Sequence, residues 1–215
     1  MKSDLIHFPH PSHADVNGIV HVGGELSVEN LLNSYKRGIF PWPYDENFPM
    51  IWYCPNPRGI LFLDNFIINK SFKKFIKSTD FKVTFNKCFQ EVVSKCQGNS
   101  IRTESSWITQ KLIEGYENLH KAGYAYSVEV WDEEVLVGGL YGVKVENFYS
   151  AESMFYERSN ASKYAIYSLL ESLKSKSIQW VDIQMVTPIT AQLGGIGIER
   201  DEFLTLLSKS IKVNL

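Results

Sequence analysis

Apolar residues recur along the chain with two periods, and the period changes from segment to segment. Val28, Leu31, Leu32 and Tyr35 follow a three-one-three spacing, the stripe of a helix with one face turned inward. Ser27 stands where an N-cap belongs and Gly38 lies just past the far end, so a helix is expected over 27–37. Ile166, Leu169, Leu170 and Leu173 repeat the pattern behind a second cap at Asn160. Further helices are expected over 69–77, 86–96 and 199–210, and from Ser105 or Ser106 to about Lys121, before Gly123. Alternation takes over elsewhere. Tyr126, Val128 and Val130 share one face of a strand over 126–131, followed by a turn at Asp132-Glu133-Glu134. Strands over 135–145 and 148–155 flank a Glu146-Asn147 turn, and shorter ones are expected over 83–85 and 180–185.

Seven of the eight prolines (Pro9, Pro11, Pro41, Pro43, Pro49, Pro55 and Pro57) fall within the first 65 residues, and only Pro188 comes later. Proline removes an amide donor and breaks regular elements. The expectation is a small irregular N-terminal domain over 1–65 and a larger domain, alternating α and β, over 66–215. With 215 residues, 44% of them apolar, the chain can bury a core without disulfides or metals, which excludes disordered and collagen-like classes. Cys54, Cys88 and Cys96 form no C-x-x-C pair and read as reduced thiols. The longest apolar run, 135–145, is broken by Gly138, Gly139 and Gly142 and is too short to span a bilayer. Met1-Lys2-Ser3-Asp4 begins no signal-peptide core. A cytoplasmic protein without membrane contact is expected. The formal net charge of −2 excludes a protein that coats nucleic acid everywhere but leaves room for a local basic patch. Lys70, Lys73, Lys74 and Lys77 on the helix over 69–77 form such a patch, or a solvated face. His7, His10 and His13 are spaced by three, but among prolines and with no Cys or Glu to complete a set, so no metal is expected.

The segment Trp180-Val181-Asp182-Ile183-Gln184-Met185 is the most informative for chemistry. On a regular strand Val181, Ile183 and Met185 face the core. Trp180, Asp182 and Gln184 then share the other face, with Asp182 and Gln184 about 7 Å apart. A carboxylate beside a carboxamide suits an amine or a carbonyl, although a solvated strand face has the same pattern. In Ala151-Glu152-Ser153-Met154-Phe155, Glu152 and Met154 lie on one side and Ser153 on the other. Glu152 must be paired if it is buried, or else lie on an edge strand in water. Aromatics cluster in Arg37-Gly38-Ile39-Phe40-Pro41-Trp42 and Trp52-Tyr53-Cys54-Pro55-Asn56-Pro57-Arg58, and Trp107 and Tyr116 are placed on the helix after Ser106. Such rings either stack bases beside arginine or fill a core. Gln192-Leu193-Gly194-Gly195-Ile196-Gly197 fits Q-x-x-G-x-G, the pyrophosphate-loop signature of acetyl-CoA-dependent N-acetyltransferases, in which backbone amides cradle a phosphate. That loop precedes a long helix and a further strand–helix unit, whereas 18 residues follow Gly197 here, so a glycine turn is expected.

In order and spacing, these segments resemble the leucyl/phenylalanyl-tRNA–protein transferase family. The resemblance is carried by residues 23–27, 35–42 and 52–58, Trp107-Ile108-Thr109, Leu119-His120, 127–131, 136–143, 152–155, Ala161-Ser162-Lys163 and Asp182-Ile183-Gln184, together covering about 20–207. It implies a small N-terminal domain joined to an N-acyltransferase-like (GNAT-like) mixed-sheet domain, an α+β and α/β architecture. The implied reaction moves leucine or phenylalanine from aminoacyl-tRNA to proteins that begin with Arg or Lys, which marks them for degradation by the N-degron route. On this resemblance Asp182 and Gln184 are the catalytic pair, and Glu152 joins them around the reactive amine. Trp42 and Trp107 hold the terminal adenosine with Tyr35 and Tyr116 nearby, and Ser153 belongs to the substrate site. Leu140 and Leu169 line an apolar donor pocket, and the four lysines of 69–77 meet the acceptor stem. No metal and no cofactor are implied, and a monomer is expected.

Departures from the family pattern cluster after Gln184. Ile189 stands where the family shows histidine and Gln192 where it shows serine. Ala151 replaces a glycine, and Trp52-Tyr53-Cys54-Pro55 replaces W-W-S-P. The choice among Leu, Phe and Met as donor stays open. An aminoacyl ester is already activated, so no covalent nucleophile is required. The α-amine of an acceptor, with a pKa near 7.7–8.0, is about one-tenth neutral or more at pH 7. An amide is a poor base, which gives Gln184 an orienting role. Two other readings share parts of the pattern: an acyl-CoA-dependent N-acetyltransferase, and a non-catalytic tRNA- or peptide-binding relative.

Overall fold

The computed structural model describes residues 4–98 and 108–211. In chain order the elements are β1 (Ile19–Val22), α1 (Val28–Tyr35), β2 (Phe40–Pro41), β3 (Ile51–Tyr53), β4 (Arg58–Phe62), α2 (Lys70–Ser78), β5 (Lys82–Phe85), α3 (Phe89–Gly98), α4 (Gln110–Lys121), β6 (Ala125–Asp132), β7 (Val135–Val145), β8 (Phe148–Tyr149), β9 (Ser153–Tyr156), α5 (Ala161–Lys174), β10 (Trp180–Gln184), α6 (Pro188–Gln192), β11 (Ile196–Ile198) and α7 (Arg200–Ser210). Caps explain where the helices start. The Ser27 hydroxyl accepts from the Asn30 amide at 3.2 Å, and the Asn69 side chain from the Phe72 amide at 2.8 Å. Helix α4 begins later than the sequence suggests: Thr109 caps it, accepting from the Leu112 amide at 3.3 Å. Ser105, Ser106 and Trp107 lie outside the described residues.

Three antiparallel sheets form, ordered β1-β3-β2, β10-β4-β11 and β5-β6-β7-β8, with β9 also pairing with β7. The single strand expected over 148–155 is split in two, and the interruption joins the sheets. The Ser150 amide donates to Val143 (2.8 Å) and the Glu152 amide to Tyr141 (2.9 Å), while the intervening Ala151 amide donates to Asp182 on β10 (2.8 Å). Ser150–Glu152 is thus bonded on both edges, to β7 on one side and β10 on the other. The Tyr126 hydroxyl fixes it further by donating to the Ser150 carbonyl at 2.7 Å.

Alternation on β7 divides the apolar interior. Leu140 joins Val128, Val130, Leu169, Leu170 and Val181 beneath α5, while Tyr141 and Val143 join Leu31, Tyr35, Val92, Leu112, Tyr116 and Phe203 on the opposite side. Helices therefore cover both faces, and the mixed α/β class expected from the sequence is what forms. One detail of β10 differs. Met185 does not face the core: it lies beyond the strand and is 38% exposed, because the strand ends in a turn at Gln184. The Q-x-x-G-x-G stretch is a turn between α6 and β11. Gly194 has φ +98°, and a Cβ there would lie 2.1 Å from the Asn65 carbonyl oxygen. Gly197 lies in β11, paired with Gly59. No helix N-terminus opens on this loop to receive a pyrophosphate.

Gly142 is the tightest approach in the joint between the sheets, with an added Cβ falling 1.9 Å from the Ser150 carbonyl oxygen and 2.7 Å from the Tyr126 hydroxyl. Gly142→Ala is therefore expected to cost about 3 kcal/mol or more in unfolding free energy. A denaturant midpoint unchanged from the parent would contradict that close fit.

Candidate active site

Strand β4 opens with an arginine in an otherwise apolar run, and β10 carries an aspartate in another. Each is fully buried, which neither could be without the other. Their strands pair with Asp182 opposite Ile60, and the charges meet in a two-pronged bridge. Arg58 Nε donates to Asp182 Oδ1 at 2.8 Å and Nη2 to Oδ2 at 2.6 Å, while Nη1 donates to the Gly38 carbonyl at 2.9 Å. The guanidinium lies 4.7 Å from the centre of the Phe40 ring and 4.4 Å from that of Phe203. Burial opposes the Arg58 charge, but the charge and hydrogen bonds of Asp182 more than offset it. The sequence places Arg58 beside a cluster of aromatics that either stack bases or fill a core. Arg58 itself is the counter-ion that lets Asp182 be buried.

Past Asp182 the β4–β10 register slips by one residue: Gln184 pairs with Gly59 and Ile183 becomes the extra residue of a bulge. Gln184 sits at φ +55° inside a three-residue turn closed by the Met185 amide on the Ile183 carbonyl at 2.6 Å. Gly59 makes the turn possible, since a Cβ there would lie 2.6 Å from the Met185 carbonyl carbon. The second partner of Asp182 is the Gln184 amide, donating to Oδ1 at 3.0 Å. Asp182 thereby fixes both the turn and, through its own carbonyl, Ala151.

The side chain of Gln184 reaches the interrupted strand, where Nε2 donates to Glu152 Oε1 at 2.8 Å. Ser150 Oγ donates to the same oxygen at 2.6 Å, and Tyr116 donates to Oε2 at 3.1 Å. Behind Tyr116, the Tyr35 hydroxyl lies 2.6 Å away. Glu152 is pushed up to about 7, chiefly by burial and also by the Asp182 charge, against the downward pull of the hydrogen bonds from Ser150, Tyr35 and Tyr116. A carboxyl that is half ionised near neutrality can take a proton at physiological pH. Bonded through its nitrogen, Gln184 keeps its carbonyl oxygen uncommitted among the described residues.

Met185 leads from Gln184 into a cavity of about 220 Å³ lined by Asn17, Phe40, Trp42, Tyr53, Pro55 and Met185. That is room for an aromatic ring system, since a 150 Å³ cavity already takes up benzene. Of the residues picked from sequence, Asp182, Gln184 and Glu152 come together and Trp42 lines this cavity. Tyr35 and Tyr116 do not face it. They are 1% and 0% exposed, their rings are packed in the core, and their hydroxyls are spent on each other and on Glu152. Ser153 points to the other side of β9, hydrogen-bonded to the Cys96 thiol. Leu140 and Leu169 lie in the apolar cluster under α5, against which Ala151 and Met154 pack. Lys70, Lys73, Lys74 and Lys77 are exposed on α2, whose Phe72 and Phe75 rings seat it on Tyr167 and Tyr164 of α5. Trp107 lies outside the described residues. Ser150, Gly59 and Arg58 were not singled out for the site by sequence reading.

A thiol nucleophile does not emerge. Burial raises Cys54 and Cys96, and burial together with Glu129 and Glu91 pushes Cys88 up to about 12. Among the described residues no three His, Cys, Asp or Glu side chains gather as metal ligands, and no helix is long and apolar enough to cross a membrane.

Comparison with known proteins gives a consistent result. The family model described as leucyl/phenylalanyl-tRNA protein transferase matches residues 60–208, and the model of its N-terminal domain matches 24–56. A Pseudoalteromonas atlantica protein named leucyl/phenylalanyl-tRNA–protein transferase is 46% identical over 209 residues, 96% of this chain and 89% of that one. Relatives of the same name from Flavobacterium johnsoniae (45% over 203 residues, 93% and 94%) and Pectobacterium carotovorum (42% over 211 residues, 97% and 89%) are similar to the same extent.

Two outcomes follow from the electrostatics. Arg58→Met leaves a buried carboxylate unpaired and is expected to cost about 3–5 kcal/mol, most of it recovered when Asp182→Leu is added. Equal instability of the single and double variants in chemical unfolding would refute the pairing. The raised value of Glu152 means that the folded chain holds a proton which the unfolded chain has already lost between about pH 4.5 and 7. The carboxylate therefore subtracts stability as pH rises through that window. Relative to Glu152→Gln, the parent should lose about 2 kcal/mol between pH 4.5 and 8, a figure reduced for partial solvent exposure. Parallel stability–pH curves would contradict it.

Proposed function

Because the chain belongs to the leucyl/phenylalanyl-tRNA–protein transferase family, we propose that Glu152, Gln184 and Asp182 divide the work of aminoacyl transfer among them. The enzyme moves leucine or phenylalanine from its tRNA to an acceptor protein. The observation that supports this division is the bond between Gln184 and a carboxyl poised near neutrality, one residue from an aromatic cavity. Glu152 takes a proton from the ammonium group at the acceptor N-terminus. The freed amine, oriented by the Gln184 carbonyl, attacks the ester carbonyl carbon and a C–N bond forms. As the C–O bond to the terminal ribose breaks, the leaving oxygen takes the second proton from the attacking nitrogen. Glu152 then gives its proton to water, so one amide, one ribose hydroxyl and one proton are produced. Asp182 takes no proton in this scheme. Locked by Arg58, it is a positioning residue that holds the Gln184 turn and the Ala151 amide.

The cavity beside Trp42 receives the terminal adenosine in this reading, and the cluster of Leu140, Leu169 and Met154 receives the donor side chain. The exposed lysines of α2 meet the acceptor stem through phosphate contacts. Acceptors begin with Arg or Lys, which the carboxyl of Glu152 attracts, and the product enters the N-degron route. A non-catalytic relative is disfavoured because Glu152 retains three hydrogen-bond donors and Gln184 an uncommitted carbonyl oxygen. The altered loop at Ile189 and Gln192 folds as a capped helix, with Thr187 and Thr190 closing a reciprocal capping box.

The deciding experiment is single-turnover transfer of labelled leucine or phenylalanine from tRNA to a peptide beginning with Arg. Asp182→Asn and Gln184→Ala should each slow transfer at least tenfold with donor binding retained. Near-parental rates in both would overturn the assignment. Thermal protection by puromycin and none by acetyl-CoA is expected, and the reverse would favour N-acetyl transfer.

A further inference from the structure

Two tyrosines from distant parts of the chain end beside the carboxyl that receives the proton, and neither has another use for its hydroxyl. Tyr35 comes from the last turn of α1 and Tyr116 from the middle of α4. Their hydroxyls lie 2.6 Å apart, and Tyr116 donates to Glu152 Oε2 at 3.1 Å. Because the Tyr116 proton points to Glu152, its oxygen is left to accept from Tyr35. The opposite oxygen, Oε1, is already taken by Ser150 and Gln184, and the Ser150 Oγ is held in place by accepting from the Val143 amide at 3.2 Å. A proton on Oε2 would have to displace Tyr116, which would turn on Tyr35. Tyr35, which also hydrogen-bonds Glu152, would lose that partner too, in a core where an unmet donor is costly.

We infer that Tyr35 and Tyr116 form a one-way pair of hydrogen-bond donors that holds Glu152 as the carboxylate and thereby sets the pH at which transfer becomes possible. Both are positioning residues, which act through Glu152. This rests on Glu152 acting as the base. The groups facing Glu152 from other elements are Asp182 on β10, Arg58 on β4, Tyr126 on β6 and Tyr141 on β7. Of these Asp182 opposes ionisation, the Tyr126 hydroxyl donates to the Ser150 carbonyl, and the Tyr141 hydroxyl has no partner among the described residues. Burial and the Glu152 charge raise both Tyr35 and Tyr116 well above the ordinary phenol value, so both remain donors throughout the working range.

The test is the pH dependence of kcat in the peptide-transfer assay, from pH 5.5 to 9.5, for the full chain. Glu152→Gln should remove the limb near pH 7 and leave only that of the acceptor amine itself, near 7.7–8.0; a limb left in place near pH 7 would refute the base assignment itself. Given a lost limb in that variant, Tyr116→Phe should move it upward by about one pH unit, so that the loss of rate at pH 6 exceeds the loss at pH 9 about tenfold. Tyr35→Phe should move it in the same direction by less, and the double variant by less than the sum of the two. A limb unmoved in Tyr116→Phe, with rate lost equally at every pH, means a purely structural role and overturns the inference. Should Tyr116→Phe fail to fold, Tyr35→Phe decides alone, and an unmoved limb there has the same meaning.

Discussion

The Arg58–Asp182 bridge is the constraint on which the site depends. An unpaired charge could occupy neither position, and the pair is stable there because the aspartate oxygens meet a matched fork and the guanidinium is flanked by the Phe40 and Phe203 rings. Its value is organisational more than energetic, because a buried ion pair gains little over well-packed apolar residues. From Asp182 the order spreads outward: its side chain holds the Gln184 amide and its main chain holds Ala151. Two segments more than thirty residues apart in sequence are thereby set at the distance at which a carboxamide meets a carboxyl.

The two buried carboxyls of the site have different kinds of partner. Asp182 is paired with Arg58 through both of its oxygens. Among the described residues Glu152 is bonded to neutral donors and to no cation, and is therefore held between burial, which favours the acid, and hydrogen bonding, which favours the anion. The difference between the two lies in their partners far more than in the small gap in intrinsic acidity between aspartate and glutamate.

Much of this was legible in the sequence where local rules apply. Ser27 caps the helix it was expected to cap, Asn160 precedes α5 but makes no side-chain cap bond, and Tyr126, Val128 and Val130 do share a face. The catalytic candidates were legible as polar residues inside apolar strands. What was not legible depends on register and on pairing across the chain. The bulge at Ile183 alters the simple alternation that put Asp182 and Gln184 on one face and Met185 in the core, and only Gly59 on the neighbouring strand announces it. The split between β8 and β9 arises because Ser150–Glu152 is bonded to two strands at once, a tertiary fact. Arg58 and Asp182 could have been matched as two solitary charges in apolar runs, each needing a counter-ion. Tyr35 and Tyr116 were expected near the adenosine; their hydroxyls instead meet each other and Glu152, a pairing across the chain that leaves no periodic trace.

The left-handed turn at Gln184 also bears on what evolution can do with this position. Asparagine, which tolerates that backbone most readily among residues with an amide, is one methylene too short to span the same gap to Glu152. Glycine would relax the chain but carry no functional group. Glutamine there is a compromise between conformational ease and reach, and variants selected only for thermal robustness would drift away from it.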